Sequence, residues 1–421
     1  MTAETDPLLQ KIAAALFALA LAHTFAAKQL ERLAARSPRH AGLFHLLGEV
    51  EVVFGFWAIV LIAFMALLSS GPAALQYAES RNYTEPLFVF VVMVIAASRP
   101  ILHAVETALH TLARVLPFPA PAMLTWLSLS VVPLFGSLIT EPAAMTIAAL
   151  MLAPQAFQRH IPEHLKYLAL GALFVNVSIG GTLTSYAAPP VLMVASTWGW
   201  DSMFMLTHFG WKAAVVVFIN ATVATFAIRR HLRPTHSARS ADAPTTPLAV
   251  VIAHASFLCG VVIFAHHPII FVGLFLMFLG FTQAYDRYQS PLIIKEALLV
   301  GFFLAGLVLL GGMQRWWLQP IVSGLEPLAL FFGALGLTAV TDNAALTYLG
   351  SLITGISAEA KYMLVAGAVA GGGLTVIANA PNPAGVTLLR RGFADETIGA
   401  GALLLGAAGP TVLAAAVFVL L

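Results

Sequence analysis

The chain has 421 residues, of which 60% are hydrophobic and 10% charged, with a formal net charge of +2 and a mean hydropathy of +0.90. A soluble domain carries about a quarter charged residues, so this composition excludes a water-soluble globular protein and points to an all-α membrane protein with many spans. The single cysteine, Cys259, excludes an internal disulfide or a cysteine-based metal cluster, and nothing in the charge points to nucleic acid.

The opening, "MTAETDPLLQKIAAALFALALA", carries acids where a cleavable signal has basic residues, and reads as an uncleaved first span. About twenty apolar residues cross a hydrocarbon core of roughly 30 Å. By that measure spans are expected at 12–27, 47–68, 86–109, 166–198, 203–228, 248–265, 268–285, 294–313, 362–389 and 397–421. Two further apolar segments, about 122–157 and 326–355, are interrupted by "GSLITEP" and "LTAVTDN". Basic residues gather in the connections 28–39, 99–114, 159–166, 229–239, 287–295 and 390–391, which the positive-inside rule makes cytoplasmic. A single crossing through 122–157 would carry 159–166 outside and invert every later loop. Both interrupted segments are therefore expected to be re-entrant hairpins entering from opposite sides, beside ten or eleven spans. The polar stretch 229–247 reads as a cytoplasmic linker between an N-terminal half, 1–228, and a C-terminal half, 248–421.

The halves repeat. "KYLALGALFVNVSIGGTLTSYAAPPVLMV" starts at Lys166 and "KYMLVAGAVAGGGLTVIANAPNPAGVTLL" at Lys361, with Lys-Tyr, a glycine run, Leu-Thr and Ala-Pro in one order. Glycine and proline together unwind a helix, which a membrane tolerates only where the freed backbone meets protein or a watery cavity. Two inverted-topology repeats with broken helices characterise secondary transporters.

Each hairpin holds a threonine–acid pair, Thr140-Glu141 and Thr341-Asp342. A charged carboxylate at the bilayer centre costs roughly 2.5–3.5 kcal/mol even on lenient scales, so acids placed there are usually functional. Alternating proton and cation binding would neutralise them, with Asp342 expected to lead and Glu141 to assist. Hard cations take oxygen ligands. Thr140, Thr184, Ser185, Thr341, Asn343, Thr375, Asn379 and Asn382 are the candidates around the tips and breaks. Lys212 is a possible counter-ion, and Asn176 reads as a tie between helices. His103, Glu106 and His110 share a helical face at the cytoplasmic end of their span, where amphipathic faces are ordinary. No metal site is expected there, nor a metalloenzyme, since "HExxH" is absent. The glycine runs lack a following Gly-Lys-Ser/Thr, so neither a phosphate loop nor an ATPase subunit is implied.

"TAVTDNAALTYLGSLI" with "GGGLTVIANAPNPAG" resembles the ion transporter superfamily of arsenite pumps, sodium/proton antiporters and dicarboxylate/sodium carriers. The whole chain most closely resembles its bacterial family described as "putative sodium/proton antiporters". The resemblance implies a scaffold, a transport domain with two hairpins and two unwound helices, a homodimer and elevator-like motion. In the first half Glu141-Pro142 stands where many relatives carry Asn or Asp-Asn, and "TSYAAPP" lacks the asparagine of "IANAPN". The expected function is sodium (or lithium)/proton antiport in a bacterial inner membrane. No enzymatic activity and no cofactor are expected, and small inorganic ions and the lipid bilayer are the partners. The alternative is an anion carrier for arsenite-like oxyanions or dicarboxylates, which two buried acids would repel. A non-transporting membrane protein has no use for an inverted repeat. Single cysteines placed near residue 160 should react only with cytoplasmic reagents, and those near 358 only from outside. Labelling of both from one side would refute the inverted topology.

Overall fold

Apolar runs set the elements, and prolines and glycines punctuate them. The computed structural model describes residues 6–115, 118–233 and 246–421, and every regular element among these is helical. Helix α1 (Pro7–Arg36) starts at Asp6, whose side chain accepts from the Leu8 N–H at 2.8 Å, with Pro7 in the first turn. It is followed by α2 (Ala41–Gly48), α3 (Val50–Leu68), α4 (Gly71–Glu79), α5 (Thr84–Ala96) and α6 (Arg99–Val115). Next come α7 (Ala120–Leu129), α8 (Val131–Ile139), α9 (Glu141–Ala156), α10 (Glu163–Gly180), α11 (Pro189–Trp198), α12 (Ser202–Met205) and α13 (Trp211–Ile228). A wide turn of π-helix, Leu206–Gly210, joins the last two. The remainder is α14 (Leu248–Ile263), α15 (Pro268–Ala284), α16 (Ile294–Gly311), α17 (Arg315–Val322), α18 (Pro327–Thr338), α19 (Asn343–Ser351), α20 (Ala358–Gly371), α21 (Asn382–Leu389) and α22 (Ala400–Leu420).

Six helical stretches are long and apolar enough to cross a membrane: Pro7–Ala26, Glu51–Leu68, Glu163–Leu183, Ser202–His231, Ile294–Gly311 and Ala400–Leu420. The number rises to eight if two bent pairs each count as one span. One such pair is α5 with α6, bent by 62°, so the straight span expected over 86–109 is two helices. The break falls at Ala97-Ser98, where the Ser98 carbonyl takes the N–H groups of Ile101 and Leu102, and Pro100 in the first turn of α6 has no N–H to extend α5. The spans expected at 248–265 and 268–285 are α14 and α15, of 16 and 17 residues. At 1.5 Å per residue each measures about 25 Å, a little under the hydrocarbon thickness. Most of the expected linker, 234–245, lies outside the described residues.

The chain forms two compact units, each drawing on both halves of the sequence. The first runs up to Phe90 and adds Ile294–Leu325 and Tyr348–Ile356. Its core is the crossing of α3 and α16, where Gly55 and Gly306 bring the backbones together: a Cβ on Gly306 would stand 2.3 Å from the Gly55 nitrogen. Phe54 lies edge-on to Phe17 and Phe303 beside this crossing, at 5.5 and 5.3 Å between ring centres.

The second unit comprises Val91–Ile293, Glu326–Thr347 and Ser357–Leu421. Its centre is α10, packed against α13 and α22. In the first expected hairpin, α7 and α8 form one arm bent by 41°, and α9 returns along both. The second is more open. Helix α18 packs along α20 rather than folding back on α19. Arm length accounts for the difference, because α9 has 16 residues and α19 only 9, about 24 Å against 13 Å.

Close backbone contact between α10 and α22 depends on Gly171, where an added Cβ would lie 2.4 Å from the Ala407 nitrogen. Gly171→Leu should therefore lower stability by about 1–3 kcal/mol or more through overpacking. Gly409, with nothing within 4 Å of an added Cβ, should accept alanine with no loss and up to about 1 kcal/mol of gain in helix propensity. Thermal unfolding of the detergent-solubilised variants separates the two, and equal losses would contradict the packing argument.

Candidate functional site

Both broken helices stop at glycine and restart at proline. Helix α10 ends at Gly180, passes through a tight turn at Gly181–Leu183, and restarts as α11 at Pro189-Pro190. Helix α20 ends at Gly371, and α21 begins with Asn382-Pro383. Proline suits a first helical turn because its missing N–H would be unpaired there anyway. Each interruption frees backbone groups that must find partners inside the protein.

Some of those partners come from the neighbouring hairpin arm and some from the loop's own residues, and loop side chains bond back to the arm. In the first half Thr184 Oγ1 donates to the Ser137 carbonyl at 2.7 Å. Ser137 Oγ accepts from the Leu183 N–H at 2.9 Å and donates to the Gly180 carbonyl at 2.6 Å. In the second half Thr375 Oγ1 donates to the Ala339 carbonyl at 2.8 Å, repeating the Thr184 contact. Asn382 Nδ2 donates to the carbonyls of Gly372 and Thr375 at 2.8 and 2.9 Å, and the Asn343 N–H donates to the Ala378 carbonyl at 3.1 Å. The two breaks also touch each other: Cβ atoms on Gly372 and Gly373 would fall 2.1 Å from Ser178 Oγ and 2.4 Å from the Val175 nitrogen.

The two acids differ. Glu141 opens α9 and is fully buried. Its Oε2 accepts from Asn379 Nδ2 at 2.8 Å, joining the first tip to the second break. Its Oε1 is buried with no hydrogen-bond partner. Gly181 makes room for it, since a Cβ there would stand 2.6 Å from Oε1. The residue before it, Thr140, holds φ 91° and ψ 150°, a conformation that costs a non-glycine residue about 1–3 kcal/mol. Asp342 is half-buried. Its Oδ1 accepts from the N–H groups of Ala344 and Ala345 at 2.8 and 3.2 Å, capping α19. It lies within electrostatic range of Glu141. Both acids sit at helix N-termini, where the partial positive charge of the helix favours an anion.

Around them the amide oxygens of Asn343, Asn379 and Asn382 and the Thr140 hydroxyl are buried without partners. Asn343 Nδ2 faces Ser178 Oγ at 3.5 Å, and Ser178 Oγ donates to the Val369 carbonyl at 2.7 Å. The other candidates are more local. Thr341 Oγ1 donates to the Leu337 carbonyl in the last turn of α18 at 2.8 Å. Ser185 pairs with Ser202, their hydroxyls 3.2 Å apart.

Lys212 does not take the place expected of a counter-ion. Its ammonium donates to the Tyr362 hydroxyl at 2.8 Å and lies over that ring, and Tyr362 passes the bond on to the Phe418 carbonyl. A tyrosine hydroxyl and its ring solvate the cation without a carboxylate. Asn176 ties helices: its Nδ2 donates to the Leu129 and Val217 carbonyls, and its Oδ1 accepts from Asn220. Sequence reasoning passed over Ser137, Ser178 and Asn220. The first stands inside the quoted "GSLITEP" and the second two residues before Gly180-Gly181, so proximity to the interruptions was the available signal.

A family model described as "Putative Na+/H+ antiporter" matches residues 8–421. The crystal structure of the YdaH transporter from Alcanivorax borkumensis, described as revealing an unusual topology, aligns with 88% of this chain and 96% of its own. The sequence identity is 14% and the TM-score 0.45. No curated protein matches the chain.

The strained Thr140 gives a direct prediction. Thr140→Gly should raise stability by about 1–3 kcal/mol, because glycine adopts positive φ without a clashing Cβ. Thermal unfolding in detergent reads the shift, and a fall in the midpoint would mean that the threonine side chain outweighs the backbone strain.

Proposed function

The chain belongs to the family described as "Putative Na+/H+ antiporter", matched over residues 8–421, and from that membership we propose a secondary transporter that exchanges sodium or lithium ions for protons at Glu141. The observation that carries the reading is the Glu141 carboxyl, fully buried, with one oxygen held by Asn379 and the other without a partner. A charge so placed is costly unless something neutralises it. A proton does so by occupying the open oxygen; a desolvated cation does so by binding the same oxygen. The two ligands exclude each other, and mutual exclusion at a site exposed alternately to either side is sufficient for antiport.

The surrounding chemistry supports a hard cation. The unpartnered oxygens of Thr140, Asn343, Asn379 and Asn382 are the donor type that sodium and lithium prefer. Unwound segments supply further backbone carbonyls. Thr184, Ser185, Thr341 and Thr375 hold the breaks and tips in shape, and Asp342 contributes a second negative charge while capping α19. An arsenite-like oxyanion or a dicarboxylate would meet repulsion instead, about 4 kcal/mol per unit charge at 4 Å and an effective dielectric constant of 20. In this reading the protein works in a bacterial inner membrane, as a homodimer, and moves its site between the two faces by alternating access.

Burial puts the decisive titration on Glu141 rather than Asp342. In everted vesicles with a preset pH gradient, Glu141→Gln should abolish gradient dissipation by sodium and lithium at matched expression. Asp342→Asn should retain measurable exchange, because asparagine also caps a helix and only the charge is lost. Sodium-driven exchange surviving in Glu141→Gln would overturn the proposal, and dissipation driven by anions alone would favour the carrier alternative.

A further inference from the structure

Helix α6 has two unlike faces. His103, Glu106, His110 and Arg114 lie along one side, and Ala104, Val105, Ala108 and Leu112 along the other. It packs against α7, α9 and α14 but stands away from α8. Between α6 and α8 remains a cavity of about 340 Å³ whose lining is hydrocarbon, with Val132 and Phe135 of α8 completing the wall. Ala108, Leu112 and Phe135 are solvent-exposed in the isolated chain, so the groove is open along its length. Its apolar walls offer water no hydrogen bonds.

We propose that this groove is a binding site for an anionic phospholipid, with one acyl chain lying between α6 and α8. Charge selects the headgroup. The helix carries Arg99 and Arg114 beside His103, while the single acid Glu106 lies 3.8 Å from His110. An amphipathic helix with a basic polar face lies in the plane of the membrane interface and attracts anionic lipid. The 62° turn from α5 into α6 releases α6 from the direction of the preceding helix. Its apolar face can then meet acyl chains while its basic face meets phosphate. The consequence reaches the candidate site, because α8 runs directly into Thr140 and Glu141. An acyl chain in the groove braces that arm against α6, and an empty groove leaves the arm without support on this side.

The test is lipid retention by the full-length purified protein, read by native mass spectrometry after equilibration with equal amounts of phosphatidylglycerol and phosphatidylcholine. The wild type should keep phosphatidylglycerol several-fold over phosphatidylcholine. Ala108→Phe, which fills the groove from an exposed position, should lose the retained lipid while its unfolding midpoint stays near that of the wild type. Arg114→Gln should keep a lipid but lose the headgroup preference. Equal retention by wild type and Ala108→Phe, or no headgroup preference in the wild type, overturns the proposal. The readout is a mass, so it decides the question whatever the transported ion proves to be.

Discussion

A helix interrupted at its middle leaves N–H and C=O groups without helical partners, and the second unit is organised around that constraint. In the loop after Gly180, Ser137 of the neighbouring arm takes the Leu183 N–H and donates to the Gly180 carbonyl. In the loop after Gly371, the Asn343 N–H donates to the Ala378 carbonyl, while Thr184 and Thr375 tie the loops back to the carbonyls of Ser137 and Ala339. Asn382 closes two further carbonyls of its own loop. The arms are positioned by what the loops need, and the arms in turn set where the tips fall. Glu141 and Asn379 meet because both ends of their hydrogen bond are anchored in this way.

The tips combine strain with incomplete pairing. Thr140 adopts backbone angles suited to glycine immediately before the fully buried Glu141. Six buried oxygen atoms near the tips and breaks, on Glu141, Thr140, Thr338, Asn343, Asn379 and Asn382, have no protein partner. Folding alone does not favour such an arrangement, since each unpaired buried polar atom costs about 1–3 kcal/mol. Local rules fail together mainly where function requires it.

Much of this was legible in the sequence because membrane chemistry is unforgiving. Acids at 141 and 342 stand out against their surroundings, and glycine with proline in a repeated order marks both breaks. What was not legible depends on direction in space. A serine in a membrane helix usually bonds its own preceding turn, as Ser128 does with the Leu124 carbonyl, and nothing in the letters separates it from Ser137, which reaches across to Gly180. Lys212 and Glu141 are both charged residues set among apolar neighbours in the sequence, yet only geometry reveals that the lysine faces Tyr362. The bend at Ala97-Ser98 had a signal that a single span over 86–109 passes over, since Ser98-Arg99-Pro100 ends the apolar run and the shared face of His103, Glu106 and His110 has the period of an interfacial helix. The difference in burial between the two acids was out of reach: Glu141 is fully buried and Asp342 half-buried.

The contact of Gly372 and Gly373 with Ser178 and Val175 bears on how such a chain can be recombined. One half offers a surface without Cβ atoms, and the other presses backbone and a short hydroxyl side chain into it. Neither surface has slack for a larger residue, so a substitution on one side is acceptable only with a matching change across the contact. Chimeras that exchange the C-terminal half between relatives should assemble only when the pair of contacting segments, around 175–178 and 371–373, travels together.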